Sequence, residues 1–288
     1  MKTFIRNTSI FLTCCTSAAF AQAAADPAPD VAQGVPHVKY YRPASARVRP
    51  RLQALGDVVV VNSASFLPGI SPGGLVTIFG HNLTDVSGIV VAGTNPLPTV
   101  LSNVSVSING IFAPIYTIAY ANGEDQISLQ VPYGTPTGLG VARIDILDYG
   151  KTMASIRADS YDEDPGIFTY QGNYAVALRF PDYSLIGPGN PASRGDTLIL
   201  YTTGLGPLSQ NLRDGYAAPS SPLAYTTDPF DVRVAGQACR VLFSGLAPGF
   251  VGLYQINLQL PSQLPAGNLD IQITSPFSSS GIATLPVR

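Results

Sequence analysis

Two segments of this chain each occur twice, in the same order. The heptapeptide QISLQVP at residues 126–132 returns as QINLQLP at residues 255–261, an offset of 129 residues (255 minus 126). The run GGLVTIFGHNL at residues 73–83 corresponds to GDTLILYTTGL at residues 195–205, an offset of 122 residues (195 minus 73). Repeats of this length and spacing indicate one domain present twice, with small differences in its loops.

Both halves show the alternation of apolar and polar residues that half-buried strands produce. In the run VSVSI at residues 104–108, the aliphatic residues are predicted to face the core and the serines to face solvent. Asn109-Gly110 then suits a type I′ hairpin, and Ala235-Gly236 is predicted to form the corresponding turn of the second half. Because strands are short, Gly and Pro are frequent and no amphipathic helix is found, the sequence predicts an all-β chain of two tandem immunoglobulin-like antiparallel β-sandwiches.

Four segments are expected along the chain. Residues 1–21 are predicted to be a signal peptide, with a basic start, an apolar run and the cleavage motif Ala19-Phe20-Ala21. Residues 22–56 are rich in Ala and Pro, basic and without periodicity, which predicts a disordered linker. Residues 57–164 and 165–288 are predicted to be the first and second immunoglobulin-like domains, divided where an acidic run meets a Pro-Gly pair.

The signal peptide predicts an extracytoplasmic chain, periplasmic or secreted, with no integral membrane span after cleavage. Residues 57–288 contain nine basic and sixteen acidic residues, a net charge of −7, which argues against nucleic acid as a partner. Cleavage would also remove Cys14 and Cys15, so no intramolecular disulfide is predicted. The remaining Cys239 is interpreted as a small buried hydrophobic residue.

The sequence predicts no catalytic, cofactor-binding or metal-binding residue. His37 falls in the linker and His81 in a predicted turn, the G-x-S-x-G motif of serine hydrolases is absent, and two histidines are too few for a histidine-rich metal site. Glu124 and Asp125 are adjacent acids in a loop, but glycoside hydrolysis needs two carboxylates facing each other across a cleft. We therefore predict that the chain is not an enzyme, with a glycan-acting enzyme as the second alternative.

A calcium site remains an open alternative. Asp159, Asp162, Glu163 and Asp164 lie between the predicted domains. Ca²⁺ takes six to eight oxygen ligands, which a junction between two sandwiches can supply. The acidic run lacks the spacing of an EF-hand loop, and acidic runs in linkers are commonly solvated. No cofactor is therefore expected, and Ca²⁺ at the acidic interdomain linker is kept as the alternative.

Two groups of residues leave sugar binding open. Uncharged polar side chains are predicted on the outer face of the repeated heptapeptide, and tyrosines near the domain boundary could stack on sugar rings. The opposing interpretation is that the polar faces meet solvent and that the tyrosines pack the interdomain seam, which the absence of Trp favours. The residues concerned are Gln126, Ser128, Gln130, Gln255, Asn257 and Gln259 on the two faces, and the tyrosines Tyr149, Tyr161, Tyr170, Tyr174 and Tyr183.

Several of these motifs resemble known families. The stretch VNSASF at residues 61–66, followed by PGGLVTIFG at residues 72–80, resembles the opening of an IPT/TIG immunoglobulin-like domain. The runs YTTGLGP at residues 201–207 and GLAPGFVGLYQIN at residues 245–257 resemble the Solibacter-type uncharacterised C-terminal domain family of exported acidobacterial proteins. The resemblance covers about residues 57–288 and implies IPT/TIG-type sandwiches, export and no defining catalytic residues.

The predicted function is correspondingly general. The chain is expected to be an exported, non-enzymatic structural or interaction module of the cell envelope or extracellular space. Such a module presents β-sandwich surfaces to a protein or polymer partner. The first alternative is a carbohydrate-binding module. The expected partner is an envelope protein or a polysaccharide, and its identity stays open.

Overall fold

The computed structural model describes residues 58–288, so the predicted signal peptide and linker lie outside the described residues. Within this range the chain forms twenty-one strands and no helix, and therefore no helix long and apolar enough to cross a membrane. The first ten strands are β1 (Val59–Asn62), β2 (Leu75–Gly80), β3 (Ile89–Val91), β4 (Val100–Leu101), β5 (Val104–Ile108), β6 (Ile111–Phe112), β7 (Ile115–Ala121), β8 (Glu124–Gln130), β9 (Gly138–Asp148) and β10 (Lys151–Ser160).

The other eleven strands follow from Gly166 onward. They are β11 (Gly166–Ile167), β12 (Thr169–Tyr170), β13 (Tyr174–Ala175), β14 (Ala177–Phe180), β15 (Thr197–Thr203), β16 (Asp231–Val234), β17 (Gln237–Ala238), β18 (Arg240–Leu246), β19 (Tyr254–Gln259), β20 (Gly267–Thr274) and β21 (Ala283–Val287).

Each group of strands builds two sheets. Sheet 1 has the order β1-β2-β8-β7-β3, and sheet 2 has the order β10-β9-β5-β4 with β6 beside β5. Sheet 3 has the order β11-β15-β19-β18 with β14 beside β15, and sheet 4 has the order β12-β13-β21-β20-β16-β17. Sheets 1 and 2 share one aliphatic core, and sheets 3 and 4 share a second. The predicted tandem of antiparallel immunoglobulin-like sandwiches is confirmed, with one parallel strand pair, β13 with β21.

The sequence repeat is reproduced in the pairing of the central strands. In sheet 1, β2 pairs with β8 so that Ile78 lies opposite Ile127. In sheet 3, β15 pairs with β19 so that Leu200 lies opposite Ile256. The repeat offset of 122 residues relates Ile78 to Leu200, and the offset of 129 residues relates Ile127 to Ile256. The two sandwiches are therefore built around the same strand pair in the same register.

Two predicted turns are confirmed by their backbone geometry. Asn109 and Gly110 have φ values of 50° and 83° between β5 and β6. Ala235 and Gly236 have φ values of 48° and 77° between β16 and β17. A tight hairpin whose two central residues both have positive φ matches the right-handed twist of its strands, which explains the two short hairpins.

The predicted solvent exposure of the serines in β5 is wrong. Ser105 and Ser107 are each only 8% exposed. Ser105 lies opposite Leu147, and Ser107 lies between Asp145 and Phe112 on the neighbouring strands. Side chains directly opposite each other are only about 5 Å apart, so larger neighbours shield a small serine even on an outer face.

Candidate functional site at the junction of the two sandwiches

The two sandwiches meet in a third apolar cluster, here called the seam. Sheet 3 contributes its outer face, where Ile199 and Tyr201 of β15 are almost fully buried. The first sandwich contributes Ala64 and Leu75 to the same cluster. Sheet 3 is therefore covered on both faces. The seam consists of Ala64, Leu75, Phe168, Tyr170, Val176, Leu178, Ile199, Tyr201, Ala247, Phe250 and Leu253.

Two side chains tie the sandwiches together through polar contacts at the seam. The Thr203 hydroxyl accepts a hydrogen bond from the Leu75 backbone N–H at 2.8 Å and donates to the Gly252 carbonyl at 3.1 Å. The Tyr116 hydroxyl donates to the Val251 carbonyl at 2.6 Å and accepts from the Val251 N–H at 3.0 Å. Each hydroxyl acts as donor and acceptor at once, so these contacts pair buried groups on both sides.

Close backbone approach at the seam requires glycine at one position above all. Gly204 has a φ of 74°, and a Cβ added there would lie 2.2 Å from the Asp164 carbonyl oxygen. The same carbonyl accepts a 2.6 Å hydrogen bond from the Asn62 side-chain amide of the first sandwich. A side chain at residue 204 would therefore push apart the segment that joins the two sandwiches.

The predicted polar face of the first heptapeptide is buried, so the prediction that it meets solvent or a ligand is wrong. Gln126 and Ser128 are 5% exposed, and Gln130 is fully buried. The Ser128 hydroxyl lies 3.2 Å from that of Thr77, which in turn lies 3.0 Å from that of Ser63. The Gln130 side-chain oxygen accepts a hydrogen bond from the Gly215 N–H of the second sandwich at 2.7 Å. This face therefore serves the structure of the molecule.

The second heptapeptide follows the prediction only toward its end. Gln255 is buried, and its side-chain amide donates to the Asn257 side-chain oxygen at 3.1 Å. Asn257 is half-buried and Gln259 is exposed. Because Gln255 lies opposite Tyr201 of the seam, its side chain sits in the covered part of the sheet.

The boundary tyrosines do not form a single cluster. Tyr170, Tyr174 and Tyr183 belong to or pack against the seam, as the alternative that the tyrosines pack between the domains predicts. The Tyr170 hydroxyl donates to the Ile186 carbonyl at 2.6 Å, and burial followed by the neighbouring Tyr174 raises the Tyr170 pKa. Tyr149 is 71% exposed at the turn between β9 and β10.

Tyr161 of the same group is half-buried and also lies outside the seam cluster. Its hydroxyl donates to the Asp159 carboxylate at 3.2 Å. The set of five tyrosines is therefore divided between packing and the surface, and it does not form a stacking platform.

The acids of the interdomain segment each have separate partners. Asp159 accepts the Gly140 N–H at 2.7 Å, and Asp162 accepts the Thr137 hydroxyl at 2.9 Å. Glu163 is buried and accepts a 2.7 Å hydrogen bond from the Ser278 hydroxyl. Within residues 58–288, no three His, Cys, Asp or Glu side chains are grouped as metal ligands would be.

The remaining candidates from the sequence have structural positions. His81 is exposed, with its Nδ1 atom 3.0 Å from the Gly123 carbonyl oxygen. Glu124 and Asp125 lie on β8, so the prediction that they lie in a loop is wrong. Asp125 is buried and accepts the Leu83 N–H at 2.7 Å, which fixes the loop after β2. Cys239 is buried as predicted, and burial raises the pKa of its thiol to about 11.

A cleft of about 400 Å³ opens beside the seam, here called the junction cleft. Loops of both sandwiches line it, and none of its lining residues belongs to one of the twenty-one strands. Its wall combines proline rings and two leucines with hydroxyl, amide and carboxylate groups. The lining residues are Pro72, Tyr133, Thr135, Pro136, Thr137, Asp162, Gly206, Pro207, Leu208, Gln210, Asn211 and Leu212.

Hydrogen bonds hold the loops of the junction cleft in place. The Ser71 hydroxyl donates to the Asp162 carbonyl at 3.1 Å, and the Thr137 hydroxyl donates to the Asp162 side chain. The buried Tyr254 hydroxyl donates to the Gly206 carbonyl at 2.8 Å. The cleft is therefore shaped before any ligand enters.

Tyr133 connects the cleft to the seam. Its backbone N–H donates to the Asp214 carboxylate of the second sandwich at 2.8 Å. Its ring packs on Gly73, where an added Cβ would lie 2.3 Å from the ring. Burial, and then the negative charge of Asp214, raise the pKa of Tyr133. The residue is neutral at physiological pH and serves as an aromatic wall.

Thr135 is one of the cleft residues that sequence reasoning missed. It is 4% exposed, and its hydroxyl has no hydrogen-bond partner among the described residues. The repeat offset of 129 residues places Thr135 at the position of Leu264, which is part of the second sandwich's core. Aligning the loops after the two heptapeptides would have revealed a hydroxyl where the other copy has an aliphatic side chain.

Comparison with known proteins gives similarities to solved structures alone. No family model and no curated protein matches the chain. It is similar to the Bacteroides ovatus mixed-linkage glucan utilization locus protein SGBP-B in complex with a mixed-linkage heptasaccharide, with 14% identity over 76% of this chain and a TM-score of 0.32. The chain spans 43% of that protein's length.

Two further similarities involve tandem domains. The titin I9–I11 tandem is 9% identical, with 80% of this chain and 65% of that chain covered and a TM-score of 0.20. Domains 5–6 of the S-layer protein SbsC are 12% identical, with 81% and 97% covered and a TM-score of 0.22. Similarity at this level does not bear on function.

Proposed function

We propose that the chain is an exported, non-enzymatic interaction module of the cell envelope or extracellular space. Its two sandwiches act as one binding unit that presents loops and the junction cleft to a protein or polymer partner. The observation that carries this proposal is the seam, which buries Leu75 and Ala64 of the first sandwich against the outer face of sheet 3. A buried interface fixes the relative position of loops that come from different sandwiches, as a shared binding surface requires.

The roles of the buried acids support a non-enzymatic function. Asp125 accepts a hydrogen bond from the Leu83 N–H, and Oε2 of Glu163 accepts one from the Ser278 hydroxyl. His81 is exposed in a turn, with a backbone carbonyl beside its ring. A general acid–base pair needs two titratable groups within reach of one substrate, and these residues hold separate loops instead.

The family of the chain and its export are proposals that rest on sequence motifs. We infer membership of the Solibacter-type C-terminal domain family and an IPT/TIG type for both sandwiches from the motifs at residues 61–80 and 201–257. Export rests on the signal-peptide features of residues 1–21. Ca²⁺ remains a proposal as well, and removal of divalent cations by a chelator during unfolding would test it.

Photo-crosslinking on intact producing cells tests the proposed function. Phe277, which is 81% exposed, and Tyr149 at the β9–β10 turn would each be replaced by p-benzoylphenylalanine. We expect the protein in the extracytoplasmic fraction, with a discrete adduct from at least one of these positions. Irradiation of the parent protein, which lacks the probe, is the control and should give no adduct to another molecule. Retention of the chain in the cytoplasm, or no adduct from any exposed position, would overturn the proposal.

A further inference from the structure

We propose that the junction cleft binds a neutral polysaccharide. The Thr135 hydroxyl donates a hydrogen bond to one sugar hydroxyl, and the Asp162 carboxylate accepts a hydrogen bond from another. This inference rests on the proposed interaction function and names the class of polymer. It moves the sugar-binding site away from the outer faces of the heptapeptides, which are largely buried, to loops that the sequence repeat does not conserve between the two halves.

The chemistry of the cleft wall matches a sugar chain. A neutral sugar has a rim of hydroxyl groups and two faces of apolar C–H groups. The wall offers hydroxyls, two side-chain amides and one carboxylate for the rim, and three proline rings, two leucines and the Tyr133 ring for the faces. Its volume of about 400 Å³ lies within the usual range of roughly 300–1,000 Å³ for small-molecule sites.

The buried hydroxyl of Thr135 is the second, independent observation. A buried hydroxyl without a partner is unfavourable, and the equivalent Leu264 shows that this loop folds with an aliphatic side chain at the same position. Thr137 differs in the same way, since it corresponds to Ala266, and Tyr133 supplies a ring where the second half has Ser262. Three replacements in one loop give the first sandwich a wall for binding that the second sandwich lacks.

Asp162 supplies the charged acceptor of the cleft. Its side chain is exposed, and its Oδ1 atom accepts the Thr137 hydroxyl at 2.9 Å. That bond orients the carboxylate and leaves Oδ2 without a described hydrogen bond within residues 58–288. Hydrogen bonds from a hydroxyl to a carboxylate are stronger than those between neutral groups, so Asp162 is suited to hold a sugar hydroxyl.

The same wall argues against the other polymers. None of the twelve lining residues is Lys or Arg, and residues 57–288 carry a net charge of −7, so an anionic polymer would be repelled. A peptide bound by strand addition needs an open strand edge, and the cleft is lined by loops. A neutral polysaccharide is the class that both observations favour.

Affinity electrophoresis of the purified exported protein tests the inference. The gels would contain dextran, galactomannan, arabinoxylan or hydroxyethyl cellulose, with polygalacturonate as the anionic contrast. The variants are Thr135→Val and Asp162→Asn, which keep the side-chain shapes. The matched control is Thr152→Val on β10, which is exposed and lies eight residues (160 minus 152) from the cleft end of that strand, roughly 26 Å away.

We expect at least one neutral polysaccharide, and not polygalacturonate, to retard the protein. Thr135→Val should weaken that binding about tenfold, the effect of one hydrogen bond, and Asp162→Asn by at least as much. Thr152→Val should bind like the parent. Circular dichroism of each variant shows that it is folded.

Two results would overturn the inference: no retardation by any neutral polysaccharide, or equal retardation of the parent and both cleft variants. If crosslinking still gives an envelope adduct in that case, the interaction function stands and its polymer is wrong. If the chain is found in the cytoplasm, the interaction function fails whatever the gels show.

Discussion

The seam and the junction cleft lie between the same two sandwiches, and a buried threonine hydroxyl is paired in the seam but not in the cleft. At the seam, the hydroxyls of Thr203 and Tyr116 each donate and accept, so they join the sandwiches. In the cleft, the buried hydroxyl of Thr135 has no described partner. A paired buried group contributes to stability and an unpaired one reduces it. The difference separates the part that holds the molecule together from the part available for binding.

The largest expected effect is at the tightest point of the junction. Gly204→Ala should destabilise the protein by at least about 3 kcal/mol, because the new methyl group would meet the Asp164 carbonyl while φ stays positive. Gly236→Ala is the control, since Gly236 has a similar φ of 77° and nothing within 4 Å of its added Cβ. Its cost should be about 1 kcal/mol. Urea unfolding measures both, and equal losses would contradict a tight junction.

Removal of a seam aromatic comes next. Phe250→Ala should lower the free energy of unfolding by about 3 kcal/mol, because Phe250 is 5% exposed within the seam and leaves a cavity. Phe277→Ala removes the same atoms from a surface loop and should change stability by less than about 0.5 kcal/mol. If the two variants unfold at the same urea concentration, the seam does not contribute to stability.

A matched pair of Thr→Val changes compares the seam with the cleft directly. Thr203→Val should cost about 2 kcal/mol, since the Leu75 N–H and the Gly252 carbonyl both lose a partner. Thr135→Val should leave the free energy of unfolding unchanged or raise it by up to about 1 kcal/mol, since it removes an unpaired hydroxyl. Thermal and urea unfolding would decide it, and a loss at Thr135 as large as that at Thr203 would remove the distinction.

The smallest effect concerns pH. Burial, followed by the Coulombic effect of the neighbouring Tyr133, raises the pKa of Tyr254 well above 10 in the folded protein, whereas an unfolded tyrosine titrates near 10. Stability from this residue is therefore fully present below about pH 10 and falls above it, by up to about 1.4 kcal/mol per pH unit. Urea unfolding between pH 8 and pH 11 would show this decline. Tyr254→Phe should reduce the slope and Tyr149→Phe should not, and a flat profile would contradict the assignment.

Much of the fold follows from local pattern in the sequence. The repeat predicts two domains, and its offsets relate the pair Ile78 and Ile127 to the pair Leu200 and Ile256. The Asn109-Gly110 turn is determined by its two residues, because few other pairs adopt positive φ twice in succession. These features depend on neighbours in sequence or on one strand pair.

What covers the outer face of a sheet is not a local property. Alternation indicates which residues share a face, but it does not show that Gln130 reaches Gly215 of the other sandwich. One signal was present in the sequence. The run LILY at residues 198–201 is continuously apolar, which is typical of a strand buried on both faces, as β15 is.

The cleft was hidden from sequence analysis for a related reason. Its walls come from loops that are far apart in the chain, around Thr135, Asp162 and Leu208. Loop residues have no periodicity that reports their orientation, so Asp162 is read from sequence as one more solvated acid. The sequence alone could have pointed to Thr135, because the repeat places it at the position of Leu264.

The seam also limits how this pair of domains can change in evolution. Sheet 3 carries apolar residues such as Ile199 and Tyr201 on the face that a freely recombining domain would expose to water. A gene fragment encoding residues 165–288 alone would leave part of that face uncovered and prone to aggregation. We therefore expect the two halves to be functional only as a pair.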